Sequence, residues 1–277
     1  MPTLPIYQVD AFTTTRFRGN PAAVVPLESW LSDETMQAIA LENNLAETAY
    51  FVRRTDGDYD LRWFTPELEI PLCGHATLAA AFVLYEYRGF SEQTLRFHTK
   101  SGELTVEKQG DKLMLNFPAR PLVPLPEADN TALWAQITAA IGKQPMELFH
   151  SVNNYFAVYA TEADVRSLTP DYTLLNKVPD IIGVITTAQA ATDSEYDCIS
   201  RYFCPNAGIP EDPVTGSAHC TIVPYWSGKL NNTTIRAYQA SARGGELFCE
   251  YLPNTANGDR VTMAGNVVPY LKGEITI

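Results

Sequence analysis

The chain has 277 residues, 45% of them hydrophobic and 19% charged, with a formal net charge of −12 at pH 7. The length allows one large domain or two of ordinary size, and the composition excludes a disordered or low-complexity protein. The excess of acidic residues argues against nucleic acid or an anionic membrane surface as a partner.

Cysteine usage and the start of the chain bear on where the protein is found. Five cysteines, an odd number without tight spacing, indicate reduced thiols rather than disulfides. The first residues lack a basic region followed by an apolar one, and no run of about 18 uncharged apolar residues occurs. We therefore expect a soluble, cytoplasmic protein without a signal or an anchor.

Strand patterns dominate the first part of the chain, with two helices between them. Residues 6–12, 22–26 and 59–64 are predicted strands. Ser32 is a predicted N-cap of a helix that ends at Asn43 and buries Met36, Ile39 and Ala40 on one face. The segment 74–87 is apolar on nearly all sides, which predicts a helix buried all round with strands packed about it.

The second part of the chain begins after a proline-rich stretch. Residues 117–127 contain four prolines, which favours an extended linker and a domain boundary. A helix is predicted at 131–141, and strands are predicted at 155–160, 181–186 and 195–203. Arg243-Gly244-Gly245 is a predicted hairpin turn.

An internal repeat points to two similar halves. Residues 62–71 align without a gap to residues 201–210, with Arg, Phe, Pro and Ile at matching positions and an offset of 139 residues, close to half the chain. A weaker match relates Asn20 to Asn154, each of which opens a similar apolar segment. The repeat favours two domains of nearly equal size.

The same offset relates Cys73 to Asp212. Each half then enters a helix that begins with Gly, and the second half has three additional residues before that glycine. Helix N-termini carry unpaired N–H groups and a partial positive charge, which suit a carboxylate ligand. We therefore expect the helix starts at Gly74 and Gly216 to hold an anionic substrate in a cleft between the two halves.

Several segments together resemble the phenazine-biosynthesis PhzF-like family, and the resemblance extends from Ile6 to about Gly265. These segments are residues 19–24, 44–49, 62–76, 209–218 and 243–247. The resemblance implies the diaminopimelate epimerase-like α+β fold, in which each of two pseudo-symmetric halves is a curved mixed sheet around a central buried helix. The halves would comprise residues 1–117 with 265–277, and residues 118–264.

The resemblance also implies a chemistry and residues for it. Resemblance to this family implies an enzyme that isomerises a small carboxylate, such as a dihydro-hydroxyanthranilate, by proton transfer without a cofactor. Glu47 matches the family's general acid and base, His75 and Asp212 match its polar catalytic residues, and Ser217 matches a small donor. Gly74, Gly216, Asn20 and Cys73 complete the expected substrate-binding residues. The resemblance further implies a homodimer.

The residue patterns support these roles to different degrees. Glu47 lies at an otherwise apolar strand entry, where partial desolvation favours a carboxyl group that both takes and gives a proton; an exposed edge-strand glutamate is the alternative. His75 begins a helix whose dipole disfavours a cation, so a neutral ring is expected. Asp212 could instead cap a turn. His98 and His150 are expected to be core residues.

Cys73 has two interpretations. Near a helix N-terminus it could be a reactive thiolate, or it could be a small buried hydrophobe. Epimerases of this fold use two cysteines, whereas here the matching position holds Asp212, so a symmetric two-thiol mechanism is not available.

Other motifs are missing from the sequence. Nucleotide-binding loops, a nucleophile elbow and zinc-ligand spacing do not occur, so we expect no cofactor and no metal. The predicted function is a cofactor-independent isomerase. A racemase that uses Cys73 with Asp212 or Glu47 is one alternative, and a ligand-binding protein without turnover is another.

Overall fold

The computed structural model describes residues 2–179 and 181–277. The chain forms two compact units, Met1–Asn116 with Met263–Ile277, and Phe117–Thr262. These bounds differ by at most two residues from the halves expected from the sequence. The architecture is α+β, with mostly short strands and few helices.

The strands in chain order are β1 (Thr3–Ala11), β2 (Asn20–Leu27), β3 (Glu47–Arg53), β4 (Tyr59–Phe64), β5 (Glu69–Ile70), β6 (Thr94–Thr99), β7 (Gly102–Gln109), β8 (Lys112–Pro118), β9 (Val123–Pro124), β10 (Glu147–Ser151), β11 (Asn154–Val158), β12 (Gly183–Gln189), β13 (Cys198–Phe203), β14 (Thr234–Gln239), β15 (Gly245–Thr255), β16 (Gly258–Gly265) and β17 (Val267–Thr276). The helices are α1 (Asp33–Asn43), α2 (Gly74–Tyr87), α3 (Thr131–Ile141), α4 (Glu162–Arg166), α5 (Tyr172–Leu175) and α6 (Gly216–Leu230).

The two units repeat one pairing pattern. In the first unit the order of neighbouring strands is β17, β1, β2, β3, β4, β6 and β7. The pairs β2–β3 and β4–β6 are parallel, and the other pairs in this order are antiparallel. In the second unit β9, β10, β11, β12, β13, β14 and β15 follow the same succession. The predicted internal duplication therefore extends to the topology of the sheets.

Each unit packs a central helix on one face of its sheet. Helix α2 has nine buried residues and contacts β1, β2, β3 and β17. Helix α6 also has nine buried residues and contacts β12, β14 and β15. The predicted burial of the 74–87 helix on nearly every side is confirmed. An apolar helix of this kind is stable only when sheet covers it.

Shorter helices cover the other faces. Helix α1 begins after Ser32, whose hydroxyl accepts a hydrogen bond from the Thr35 N–H, and it buries Met36, Ile39 and Ala40 as predicted. These side chains form a core with residues of β1, β2 and β3. In the second unit, helices α3 to α5 contribute to a corresponding core against β11, β12 and β13.

A buried arginine in each unit makes the same contact. Arg62 on β4 bonds Glu69 through Nε and Nη2 at 2.8 and 2.7 Å. Arg201 on β13 bonds Glu211 in the same bidentate way at 2.8 and 2.9 Å. Each glutamate pairs with the last phenylalanine of the arginine's strand, Phe64 or Phe203. These ion pairs fix the chain that leads into α2 and α6.

Three expectations are wrong. Residues 117–127 are not a free linker, because Arg120 and Leu125 donate backbone hydrogen bonds to Cys220 and Leu148, and β9 pairs with β10. His98 and His150 are only partly buried, and His98 pairs with Asp58 at 2.8 Å. A proline-rich segment can thus belong to a sheet edge when the N–H groups of the residues between its prolines find acceptors.

Among the described residues, no helix is long and apolar enough to cross a membrane.

Replacing Arg62 by Lys tests the ion pair with Glu69. Lysine lacks the planar fork that makes two parallel hydrogen bonds, so Arg62→Lys is expected to lower the free energy of unfolding by about 1–3 kcal/mol in chemical denaturation. The control is Arg96→Lys, because Arg96 and Glu103 are about half exposed, and a change within about 0.5 kcal/mol is expected there. Equal losses in the two variants would contradict the role of the ion pair.

Candidate active site

The candidate site of the first unit lies where two strands and the central helix begin. Asn20 begins β2, Glu47 begins β3, and Gly74 begins α2. Strands β2 and β3 are parallel, with Ala22 beside Glu47, so their starts lie at the same edge of the sheet. Helix α2 packs on both strands. This topology brings together residues that are far apart in the sequence.

The His75 ring is the centre of this group. Its Nε2 lies 3.0 Å from Oε2 of Glu47. Its Nδ1 lies 3.2 Å from Nδ2 of Asn20 and 3.4 Å from Sγ of Cys73. Each edge of the imidazole therefore faces a different partner. Four of the eight predicted site residues are in direct contact.

The group is shielded from solvent. The side chains of Glu47 and His75 are 14% and 6% exposed. Asn20 and Cys73 are also buried. Oε2 of Glu47 and Nε2 of His75 are at ion-pair distance but are not aligned as a hydrogen bond. Strand β3 is paired on both sides, so Glu47 is not the exposed edge-strand residue of the alternative interpretation.

Two opposing influences act on the protonation of His75, for which a neutral ring is predicted from the sequence. Burial by itself lowers the pKa of His75, but negative charge at Cys73 and Glu47 and the contacts with these groups raise it well above its ordinary value. The adjacent carboxylate thus opposes the helix dipole and favours a proton on Nε2, the ring nitrogen that faces Glu47.

Of the two interpretations of Cys73, the surroundings of the thiol favour the buried side chain over the reactive thiolate. Burial raises the pKa of the Cys73 thiol, and the Glu47 carboxylate raises it further, while His75 acts in the opposite direction. Cys73 is the N-cap residue of α2, but its side chain makes no capping hydrogen bond. It is a buried thiol in contact with His75.

Glu47, Cys73 and His75 also provide the oxygen, sulfur and nitrogen donors that zinc prefers, and one ligand atom from each lies within 4.8 Å of the others. However, Glu47 faces Nε2 and Cys73 faces Nδ1, whereas a single ion binds one ring nitrogen. The arrangement suits proton sharing along the ring better than metal binding.

The second unit provides a different helix start. The N-cap residue of α6 is Thr215, and the helix begins at Gly216. The glutamates of the two ion pairs, Glu69 and Glu211, occupy matching places. Four residues after them come Cys73 in one unit and Thr215 in the other. The predicted equivalence of Cys73 with Asp212 is therefore wrong.

The three additional residues of the second unit lie before Glu211, not between Pro210 and the start of α6 at Gly216. They lie in the segment with the short 3-10 helix Pro205–Ala207. With an offset of 142, Glu, Pro, Gly and Ala match between residues 69–76 and 211–218, and Ser217 takes the place of His75. The competing match of Ile and Pro at an offset of 139 concealed this alignment in the sequence.

Asp212 has its own partners within the second unit. Oδ2 of Asp212 accepts a hydrogen bond from the Thr215 hydroxyl at 2.5 Å. Gln239, fully buried at the end of β14, bonds both residues. Thr215 and Gln239 are not among the site residues predicted from the sequence. The first was recognisable from the offset of 142, but nothing in the sequence marks the second.

The backbone at both helix starts is suited to an anion. The first helical bonds run from Thr77 N to Cys73 O and from His219 N to Thr215 O. The N–H groups of Gly74 and His75, and of Gly216 and Ser217, therefore have no acceptor within their helices.

His219 is fully buried, and burial lowers its pKa to about 4, so it is a neutral core residue.

Comparison with known proteins identifies the family. A model of the phenazine biosynthesis-like proteins, PhzC-PhzF, matches residues 9–273. The chain belongs to this family. An uncharacterized isomerase of Pseudomonas aeruginosa is 44% identical over 272 residues, which cover 98% of each chain. The protein is an isomerase of the PhzF-like family, and the alternative of a binding protein without turnover is wrong.

Solved structures confirm the predicted fold. The crystal structure of a PhzF-family protein of Enterococcus faecalis is similar over 100% of both chains, with a TM-score of 0.92 and 43% identity. A hydroxyproline epimerase of Agrobacterium vitis has a TM-score of 0.60 at 8% identity, over 99% of this chain and 92% of its own. The second likeness concerns the fold alone.

The ion pair of His75 gives a pH dependence of stability. Because the pKa of His75 is raised in the folded state, its stabilising effect is fully present below about pH 6.5 and is lost as the pH rises through the folded pKa. The difference in Tm between the wild type and His75→Gln should therefore shrink above about pH 6.5.

His98→Gln is the control for this measurement, because the pair of His98 with Asp58 is about one-third exposed and is screened by solvent. A difference between wild type and His75→Gln that stays constant with pH would show that the His75 ring is not protonated in the folded protein.

Proposed function

We propose that the protein catalyses a cofactor-independent proton transfer between two carbon atoms of a small carboxylate substrate, with Glu47 as general acid and base. The observation that supports this most is the buried contact between Glu47 and His75 at the start of α2. A carboxylate that is fixed by a partner and largely withdrawn from water is typical of a group that moves protons to and from carbon.

The contacts give each residue of the group a task. Nε2 of His75 orients Glu47, and Asn20 fixes the ring at Nδ1. Asn20, which we expected to bind substrate, is thus proposed to position His75. Glu47 pairs with Ala22 of β2, and the next residue, Thr48, pairs with Phe64 of β4, so the backbone that carries the carboxylate is fixed. Such preorganisation is what proton abstraction from carbon requires.

The step balances without a further reagent. The Glu47 carboxylate removes a proton from one carbon, and the electron pair of that C–H bond enters the adjoining unsaturated system. Glu47, now a carboxylic acid, returns the proton to a different carbon, and the carboxylate is restored. The charge that develops on the substrate is stabilised by the N–H groups at the start of α2.

The substrate's carboxylate is proposed to bind the backbone at Gly74 and His75, where the first turn of α2 has no acidic residue. Asp212, Gly216 and Ser217 belong to the second unit. Their action on the same substrate, in a cleft between the halves, stays a prediction, as do the homodimer and the cytoplasmic location.

Glu47→Gln tests the central role. The amide keeps the shape of the side chain but cannot accept the proton, so deuterium incorporation into a probe in deuterated water should fall at least about 100-fold. Dihydro-hydroxyanthranilate and a set of cyclic unsaturated carboxylic acids serve as probes, followed by NMR and mass spectrometry.

Glu103→Gln is the matched control, because Glu103 is an exposed surface residue, and its exchange rate should equal that of the wild type. Undiminished exchange in Glu47→Gln would remove Glu47 from the mechanism.

The racemase alternative is tested at Cys73. Burial raises the pKa of its thiol, and the matching position of the second unit is Thr215 rather than a cysteine, so we do not propose Cys73 as a base. Cys73→Ala is expected to retain the rate of exchange within about threefold, since only a weak sulfur contact with His75 is lost and Asn20 still contacts the same ring nitrogen. Loss of exchange, together with racemisation of an amino acid by the wild type, would instead favour the racemase.

A further inference from the structure

A fully buried glutamine holds the start of α6. Gln239 is the last residue of β14, and it is 0% exposed. Its Oε1 accepts a hydrogen bond from the Thr215 N–H at 2.8 Å. Its Nε2 donates to the Asp212 carbonyl at 2.7 Å and to Oγ1 of Thr215 at 3.2 Å. Both ends of the amide are satisfied, as burial of a polar group requires.

These bonds determine the direction of the Thr215 hydroxyl. A backbone N–H only donates and a backbone carbonyl only accepts, so the orientation of the Gln239 amide is fixed. Since the amide nitrogen only donates, Oγ1 of Thr215 must accept from it. The single hydroxyl proton is then directed to Oδ2 of Asp212, 2.5 Å away. Gln239 thereby acts on the Asp212 carboxylate through Thr215.

The first unit makes the same turn without this arrangement. Ser101 donates to the Pro71 carbonyl at 2.8 Å, and Ser241 donates to the Pro213 carbonyl at the same distance. The residue at the end of the corresponding strand β6 is Thr99, whose hydroxyl donates to Gly102 instead. The serine bond therefore suffices to form the turn. The buried glutamine is an additional feature of the half that carries Asp212.

We propose that Gln239 is a positioning residue for the reaction, which fixes the carboxylate of Asp212 through the hydroxyl of Thr215. The inference rests on the proposed function, because it matters for turnover only if Asp212 acts on the substrate. Asp212 is only partly buried, so packing by itself does not fix the rotamer of its side chain. A charge-assisted hydrogen bond from Thr215 favours one rotamer.

The first measurement needs no substrate. A hydroxyl proton held in a short bond to a carboxylate exchanges slowly enough for detection by proton NMR. We expect a protected Thr215 hydroxyl resonance in the wild type, assigned by its absence in Thr215→Val. In Gln239→Glu, the new carboxylate competes with Asp212 for the hydroxyl proton, and the resonance should shift or disappear.

The second measurement is deuterium exchange into the probes of the previous section. Gln239→Glu and Gln239→Leu are expected to reduce the rate at saturation about tenfold with little change in KM, because binding survives while Asp212 is misplaced. Ser241→Ala is the control. It removes the bond that both units share, leaves Gln239 in place, and should retain both the hydroxyl resonance and the exchange rate.

The outcomes separate the two proposals. If Asp212→Asn exchanges deuterium like the wild type, the participation of Asp212 in the proposed function is wrong. If Asp212→Asn is inactive but both Gln239 variants keep the full rate and the Thr215 resonance, the positioning role is wrong. Thermal unfolding of each variant is followed in parallel, and Gln239→Glu, which preserves the side-chain volume, serves if Gln239→Leu does not fold.

Discussion

A bidentate ion pair between a strand arginine and a glutamate determines where the central helix of each unit begins. Arg62 and Arg201 are largely buried, so each needs a carboxylate partner that lies in a fixed place. Glu69 and Glu211 meet this need, and four residues later the chain reaches the N-cap of α2 or α6. The position of every helix-borne site residue follows from this contact.

The two units use the same framework for different side chains. In the first unit the asparagine that begins β2 bonds His75, whereas its counterpart Asn154 at the start of β11 accepts a hydrogen bond from Tyr202 at 2.7 Å. His75 is the second residue of α2, and the second residue of α6 is Ser217. Glu47 thus faces a histidine ring in one half, while Asp212 in the other accepts a hydrogen bond from Thr215, which Gln239 contacts in turn.

Sequence patterns predicted the main elements well because their causes are local. Ser32 caps α1, and the unbroken apolar run of α2 allows only a buried helix. The repeat was visible because the arginine and phenylalanine of β4 and β13 are retained. Its register could not be read correctly, since Ile70 and Pro71 also match Ile209 and Pro210, and only the ion pairs show which glutamates correspond.

The sequence by itself determined the duplication, the α+β class, the family and the set Glu47, His75, Asn20 and Cys73, since each rests on short motifs. Tertiary structure alone decided the states of these groups. The charge of His75 depends on a carboxylate 28 residues away in the chain, and the state of Cys73 depends on burial. The link from Gln239 to Asp212 likewise exists only because β14 ends beside α6, and a contact between distant segments leaves no periodic signal in the sequence.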